Sequence, residues 1–145
     1  MLAAMICATE RAKPQQRLCG QAAQGDGEVS GTAIETAMHC TMRLTVLKRG
    51  AAGNPGGGLP RYLTPDPATM YAAGPQFATT GVDKDVVVAA RTALRELIDY
   101  LVTIHGITPY EALVLCSVAA DFKIAEVVDM PNYVVSMHIP LAVLG

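Results

Sequence analysis

The chain has 145 residues, enough for one ordinary domain with a real core and too few for two full ones. Hydrophobic residues make up 51% and charged residues 17%, a globular balance that excludes the signature of a disordered chain. The formal charge of −2 arises from 11 basic and 13 acidic side chains without long runs of either sign. No basic stripe exists to neutralise a phosphate backbone, so nucleic acid is not an expected partner.

Residues 1–21 show neither helical nor strand period, and Pro14-Gln15-Gln16 reads as a loop; partial disorder is the expectation for this segment. Met1 to Ala8 is apolar but lacks a basic start before Glu10, Arg11 and Lys13, which argues against a secretory signal. No run of about 18 apolar residues suggests a membrane span, and a cytoplasmic protein is expected. Cys7, Cys19, Cys40 and Cys116 are far apart and form no C-x-x-C pair, so they read as reduced thiols. Gly25, Gly27 and Gly31 surround Asp26 and Glu28 in a polar turn. Two carboxylates one residue apart in a glycine-rich loop can face one site and suit a divalent cation. Taken alone, the pair reads first as a solvated acidic turn.

Met38, Cys40, Met42, Leu44 and Val46 alternate with His39, Thr41, Arg43 and Thr45, the pattern of a half-buried strand. His39 falls on its polar face. The glycines and Pro55 between Lys48 and Gly58 predict a loop and match no phosphate-binding motif. Short β-leaning pieces follow around Met70-Tyr71 and over Phe77 to Thr80. From Asp83 to His105, Val87, Ala90, Leu94, Leu97, Ile98, Leu101 and Ile104 recur at helical spacing opposite Arg91, Arg95 and Asp99, predicting an amphipathic helix stopped by Gly106. His105 suits the negative end of that helix dipole. Thr108-Pro109-Tyr110-Glu111 is a capping box with proline at the first helical position, starting a second helix that runs to about Ala120. Cys116 lies in its apolar run and reads as core. Asp121 sits at the junction of that helix with a β-like stretch, as a turn residue or a buried group kept for a site. Phe122 to Val128, a turn at Met130-Pro131-Asn132, and Tyr133 to Ile139 then predict a β-hairpin ended by Pro140. His138 lies in that last strand with no partner evident from spacing.

Two blocks, AAQGDGEVSGTAIE from Ala22 to Glu35 and ALRELIDYLVTIHGITPYEALVLCSVAADFKIAEVVDMPNYVVSMHIPL from Ala93 to Leu141, resemble the C-terminal portion of the acetamidase/formamidase family. The resemblance covers residues 22–145 and leaves 1–21 unmatched. It implies an α+β fold, β-rich, with a C-terminal helical hairpin followed by a β-hairpin. It implies hydrolysis of short aliphatic amides such as formamide and acetamide, a divalent metal (zinc ahead of calcium) with Asp26 as a ligand, Glu28 as the catalytic proton shuttle, and homo-oligomeric assembly. The family's block is usually preceded by a metal-holding Gly-Asp-x-His element. Here those positions read Leu18-Cys19-Gly20-Gln21, which puts that part of the ligand set in doubt, since a glutamine amide is a weak substitute for imidazole. The family's larger N-terminal region is not in this sequence, so a truncated, non-catalytic remnant or interaction fragment stands as the alternative.

Overall fold

The computed structural model describes residues 4–5, 21–23, 25–32, 34–35, 45–46, 58–64 and 74–145. Two short ladders come first in the chain. Strand β1 (Ala4–Met5) pairs with β4 (Thr45–Val46), and β2 (Gln21–Ala23) with β3 (Ile34–Glu35), both antiparallel. The main body is a four-stranded antiparallel sheet of β5 (Arg61–Thr64), β6 (Gln76–Asp83), β7 (Asp121–Glu126) and β8 (Tyr133–Pro140), in the order β5-β6-β8-β7. Between β6 and β7 run two helices, α1 (Val86–His105) and α2 (Pro109–Ala119); a short 3-10 turn at Leu141–Val143 follows β8. The architecture is α+β.

Local chemistry explains the helix ends. Asp85 caps α1 by accepting from the Val87 and Val88 amides at 2.7 and 3.2 Å, satisfying donors that have no intrahelical acceptor. At the other end Gly106 adopts φ 69° and its amide reaches the Val102 carbonyl. Two residues later the Thr108 hydroxyl accepts from the Glu111 amide, while the Glu111 carboxylate accepts from the Thr108 amide at 2.8 Å. These hydrogen bonds hold the Glu111 carboxyl below the usual carboxylate range.

Alternation divides the sheet into two faces. Phe77, Thr79 and Gly81 of β6 and Val135, Met137 and Ile139 of β8 turn towards α1. Leu97, Leu101, Ala93, Ala112 and Cys116 close the core against them, and Phe77 stacks on Tyr100 with ring centroids 3.7 Å apart. The helix comes very close: the Thr79 hydroxyl donates to the Ala93 carbonyl at 2.8 Å, and a Cβ built on Gly81 would lie 1.9 Å from the Ala89 carbonyl oxygen. The sequence reading of the buried helix face holds for Leu97 and Leu101, with Leu94 and Ile98 packed on the core, and is corrected at its ends. Val87 is 54% exposed and Ile104 is also exposed, while Ala89, Ala93, Leu97 and Leu101 are buried, because only methyl side chains fit where the helix backbone touches the strand. Arg91, Arg95 and Asp99 are exposed as expected.

Cys116 is buried, and desolvation pushes its thiol up to about 11, which is the behaviour of an inert core cysteine. At the far edge of the sheet the Arg61 guanidinium on β5 pairs with Glu96 of α1. The strand read over Met38 to Val46 lies outside the described residues except for Thr45 and Val46; so do His39, Cys7, Cys19, Cys40, Met70-Tyr71, most of the glycine-rich loop and most of residues 1–21.

Candidate functional site

The face of the sheet turned away from α1 is polar. Gln76 and Thr80 of β6 and Ser136 and His138 of β8 alternate with the core residues and are all buried. Register places Tyr62, Ala78, His138 and Asp121 in one row across all four strands. Ser136 and His138, two residues apart on β8, share this face, so the serine hydroxyl meets His138 Nε2 at 2.8 Å. The Tyr62 hydroxyl lies 3.3 Å from the same nitrogen, its ring edge-on to the imidazole at 80°. On the other side His138 Nδ1 faces Gln76 Oε1 at 3.2 Å, which places the imidazole proton on Nδ1 and leaves Nε2 as an acceptor.

Electrostatics keep this imidazole neutral. Burial is the largest influence holding His138 below its ordinary value; Lys123 acts the same way, and Asp26 and Asp121 oppose it. Burial likewise raises the Tyr62 hydroxyl, with Ser136 beside it acting in the lowering direction and Asp26 adding to the rise. Asp26 is therefore near enough to act on both rings.

The loop carrying Asp26 is fastened to the open edge of β7. Gly27 forms a parallel bridge with Glu126: its amide donates to the Ala125 carbonyl and its carbonyl accepts from the Val127 amide, both at 3.1 Å. Gly27 takes φ 89° and Glu28, a non-glycine residue, φ 41°. The left-handed backbone at Glu28 costs about 1 kcal/mol, held by the bridge before it and by the Gly31 amide donating to the Glu28 carbonyl at 2.8 Å. Asp26 Oδ2 lies 3.8 Å from Lys123 Nζ. Glu28 is carried the other way, so that Glu28, Glu126 and Asp129 bring carboxylate oxygens within 4.8 Å of one another. Burial, then the charges of Asp129 and Glu28, push the Glu126 carboxyl up, because neighbouring carboxylates resist ionising together.

Asp26 and Glu28, the two residues singled out in the sequence, thus share one loop and take different company. Glu28 meets two acidic residues that sequence reading did not connect to it; only the parallel bridge brings the 25–31 loop to the end of β7. Asp121 begins β7 exposed, opposite His138. The Tyr62, Ser136, His138 and Gln76 network was also missed. The two-residue spacing of Ser136 and His138 in a strand was a usable signal, whereas the approach of Tyr62 and Gln76 depends on strand order.

A donor set of carboxylates alone is the kind hard cations prefer; zinc more commonly takes nitrogen or sulfur ligands as well. Among the described residues the convergent cluster is of the first kind, and both ring nitrogens of His138 are engaged by protein groups. These residues fit a calcium-like or magnesium-like ion better than zinc.

No curated protein matches the chain. Solved structures share its fold, two acetamidases among them. The acetamidase of Bacillus halodurans superposes with a TM-score of 0.64 at 22% identity, over 84% of this chain and 36% of that one. The acetamidase of Yersinia enterocolitica gives 0.63 at 24% identity, over 86% of this chain and 33% of that one. The chain thus spans about a third of the length of these two acetamidases. The model of the Acetamidase/Formamidase family matches residues 20–145, and the chain belongs to that family.

Proposed function

We propose that this chain takes part in hydrolysis of short linear aliphatic amides, formamide and acetamide among them, by attack of water on the amide carbonyl with release of carboxylate and ammonia. The observation that carries the reading, given the family, is the glycine-rich loop locked against β7, which gathers Glu28, Glu126 and Asp129. Of these three it is the Glu126 carboxyl that is raised, so it holds a proton closer to neutral pH than a solvated carboxyl does. Glu28 takes a proton from the attacking water and delivers one to the departing nitrogen, which leaves as ammonia. Asp26, its carboxylate 69% exposed and opposite Lys123, would be a ligand to a divalent metal as the family implies; the oxygens of Glu126 and Asp129 form a separate set of hard donors beside Glu28. Such an ion supplies Lewis acidity for water and the carbonyl. Zinc was the first expectation; the all-carboxylate donors favour calcium.

The test is ammonia release from formamide and acetamide by the purified chain, with zinc, calcium or neither added, alongside Glu28→Gln. Turnover lost in Glu28→Gln supports the reading; soluble, folded protein without turnover under any condition defeats it for this polypeptide.

A specific observation favours a second reading, a non-catalytic fragment that works by association. Helix α2 is apolar on both sides: Ala112 and Cys116 face the core, while Tyr110 and Val118 are 76% and 75% exposed. Leu113 and Val114 continue that outer stripe, and Phe122 on the neighbouring edge strand is exposed as well. A helix hydrophobic all round is normally covered. Sedimentation across a concentration series tests this reading, since a monomeric chain at all concentrations removes the support for self-association.

A further inference from the structure

The hydrogen-bonded network on the polar face of the sheet ends at one hydroxyl-bearing residue that solvent reaches. With its proton on Nδ1 and directed at Gln76, neutral His138 offers one in-plane lone pair at Nε2. Two hydroxyls compete for it. Ser136 sits at the ordinary distance for such a bond, 2.8 Å, and Tyr62 is long at 3.3 Å. The serine therefore takes the lone pair, and the Tyr62 hydroxyl, long to Nε2, lies within reach of the Ser136 oxygen instead. Gln76, Ser136 and His138 are buried, while Tyr62 is 40% exposed, so Tyr62 is the one member of the network that solvent reaches.

Resting on the amide-hydrolase reading, we propose that Tyr62, held by His138 and Ser136, is the binding residue for the primary amide group of the substrate. Its O–H donates to the amide carbonyl oxygen, and a lone pair of its oxygen accepts from an amide N–H where the group turns its nitrogen inward. A primary amide carries both complements and no charge, which suits a hydroxyl beside a buried, neutral imidazole. The same site disfavours the product. Asp26 acts on Tyr62 and His138, and Asp121 faces His138 across the β7–β8 pairing. Without a metal at Asp26, a carboxylate formed by hydrolysis meets these negative charges beside Lys123, which is itself paired with Asp26. Tyr62 thus sorts neutral amide from anionic acid.

The experiment is a titration of the full chain, labelled at histidine and tyrosine rings, with acetamide and separately with sodium acetate at matched ionic strength, followed by NMR. Saturable shifts of the Tyr62 and His138 resonances with acetamide, and none with acetate, are expected. Tyr62→Phe keeps the ring and loses the hydroxyl, and it should weaken acetamide binding about tenfold, the effect of one lost hydrogen bond. Spectral dispersion equal to that of the parent shows that this variant is folded. Equal shifts by acetate, no saturable shift, or undiminished binding to folded Tyr62→Phe would overturn the proposal. Binding without ammonia release would retain it while defeating hydrolysis. Ammonia release at the parental KM by Tyr62→Phe would defeat it and leave hydrolysis standing.

Discussion

The two faces of the four-stranded sheet come from the same alternating residues of β6 and β8 and do opposite work. Towards α1, Phe77, Met137 and Ile139 share the core with Leu97 and Leu101, Val135 is buried on the same face, and the helix backbone touches the strand at Gly81. Away from α1, Gln76, Thr80, Ser136 and His138 are as deeply buried yet carry hydrogen-bonding groups. Apolar burial stabilises in proportion to area, whereas a buried polar group contributes little net stability once satisfied and costs much when left unpaired. One face therefore sets whether the chain folds, and the other has the composition of a site.

Substitutions on the helix face should break that comparison most sharply. Leu97→Ala opens a cavity in the centre of the core and should lower unfolding free energy in urea by about 3 to 4 kcal/mol; a loss well under that would mean the helix is loosely packed. Gly81→Ala must move α1 off the strand, at about 3 kcal/mol, and unchanged stability in the same assay would refute the close contact. Thr108→Ala lies on neither face and tests capping alone: about 1 kcal/mol, read from thermal unfolding. Tyr62→Phe should cost under about 1 kcal/mol in stability while weakening acetamide binding about tenfold, so a large stability loss there would place Tyr62 with the structural face.

The smallest signal concerns pH. His138 is held below its ordinary value in the fold, so the unfolded chain binds that proton more tightly. Its contribution to stability is full above about pH 6.5 and is lost as pH falls from there through the folded value. A urea midpoint followed from pH 7.5 to 4.5 should fall in the parent and fall less in His138→Gln over that window. Parallel curves would place the acid sensitivity elsewhere.

Particular residues show how far the sequence reached. The Thr108–Glu111 capping box, the Gly106 stop and the final β-hairpin were all legible because each is decided by neighbours within about one turn or one strand. The buried face of α1 was legible only in part: Leu97 and Leu101 are buried as their spacing predicts. Hydrophobicity favoured Val87 and Ile104, and the structure chose Ala89 and Ala93 instead. Size, set by the distance to β6, outweighed apolarity there.

The same division runs through the candidate site. The Gly-Asp-Gly-Glu loop and the family were readable from consecutive residues, as was the placement of Ser136 and His138 on one face of a strand. The approach of Glu28 to Glu126 and Asp129, nearly a hundred positions later in the chain, and of Tyr62 and Gln76 to His138 required the parallel bridge at Gly27 and the strand order β5-β6-β8. Local sequence determines φ, ψ and side-chain alternation; which strands become neighbours is decided by burial of the whole sheet against α1, and only that places distant polar groups within hydrogen-bonding range.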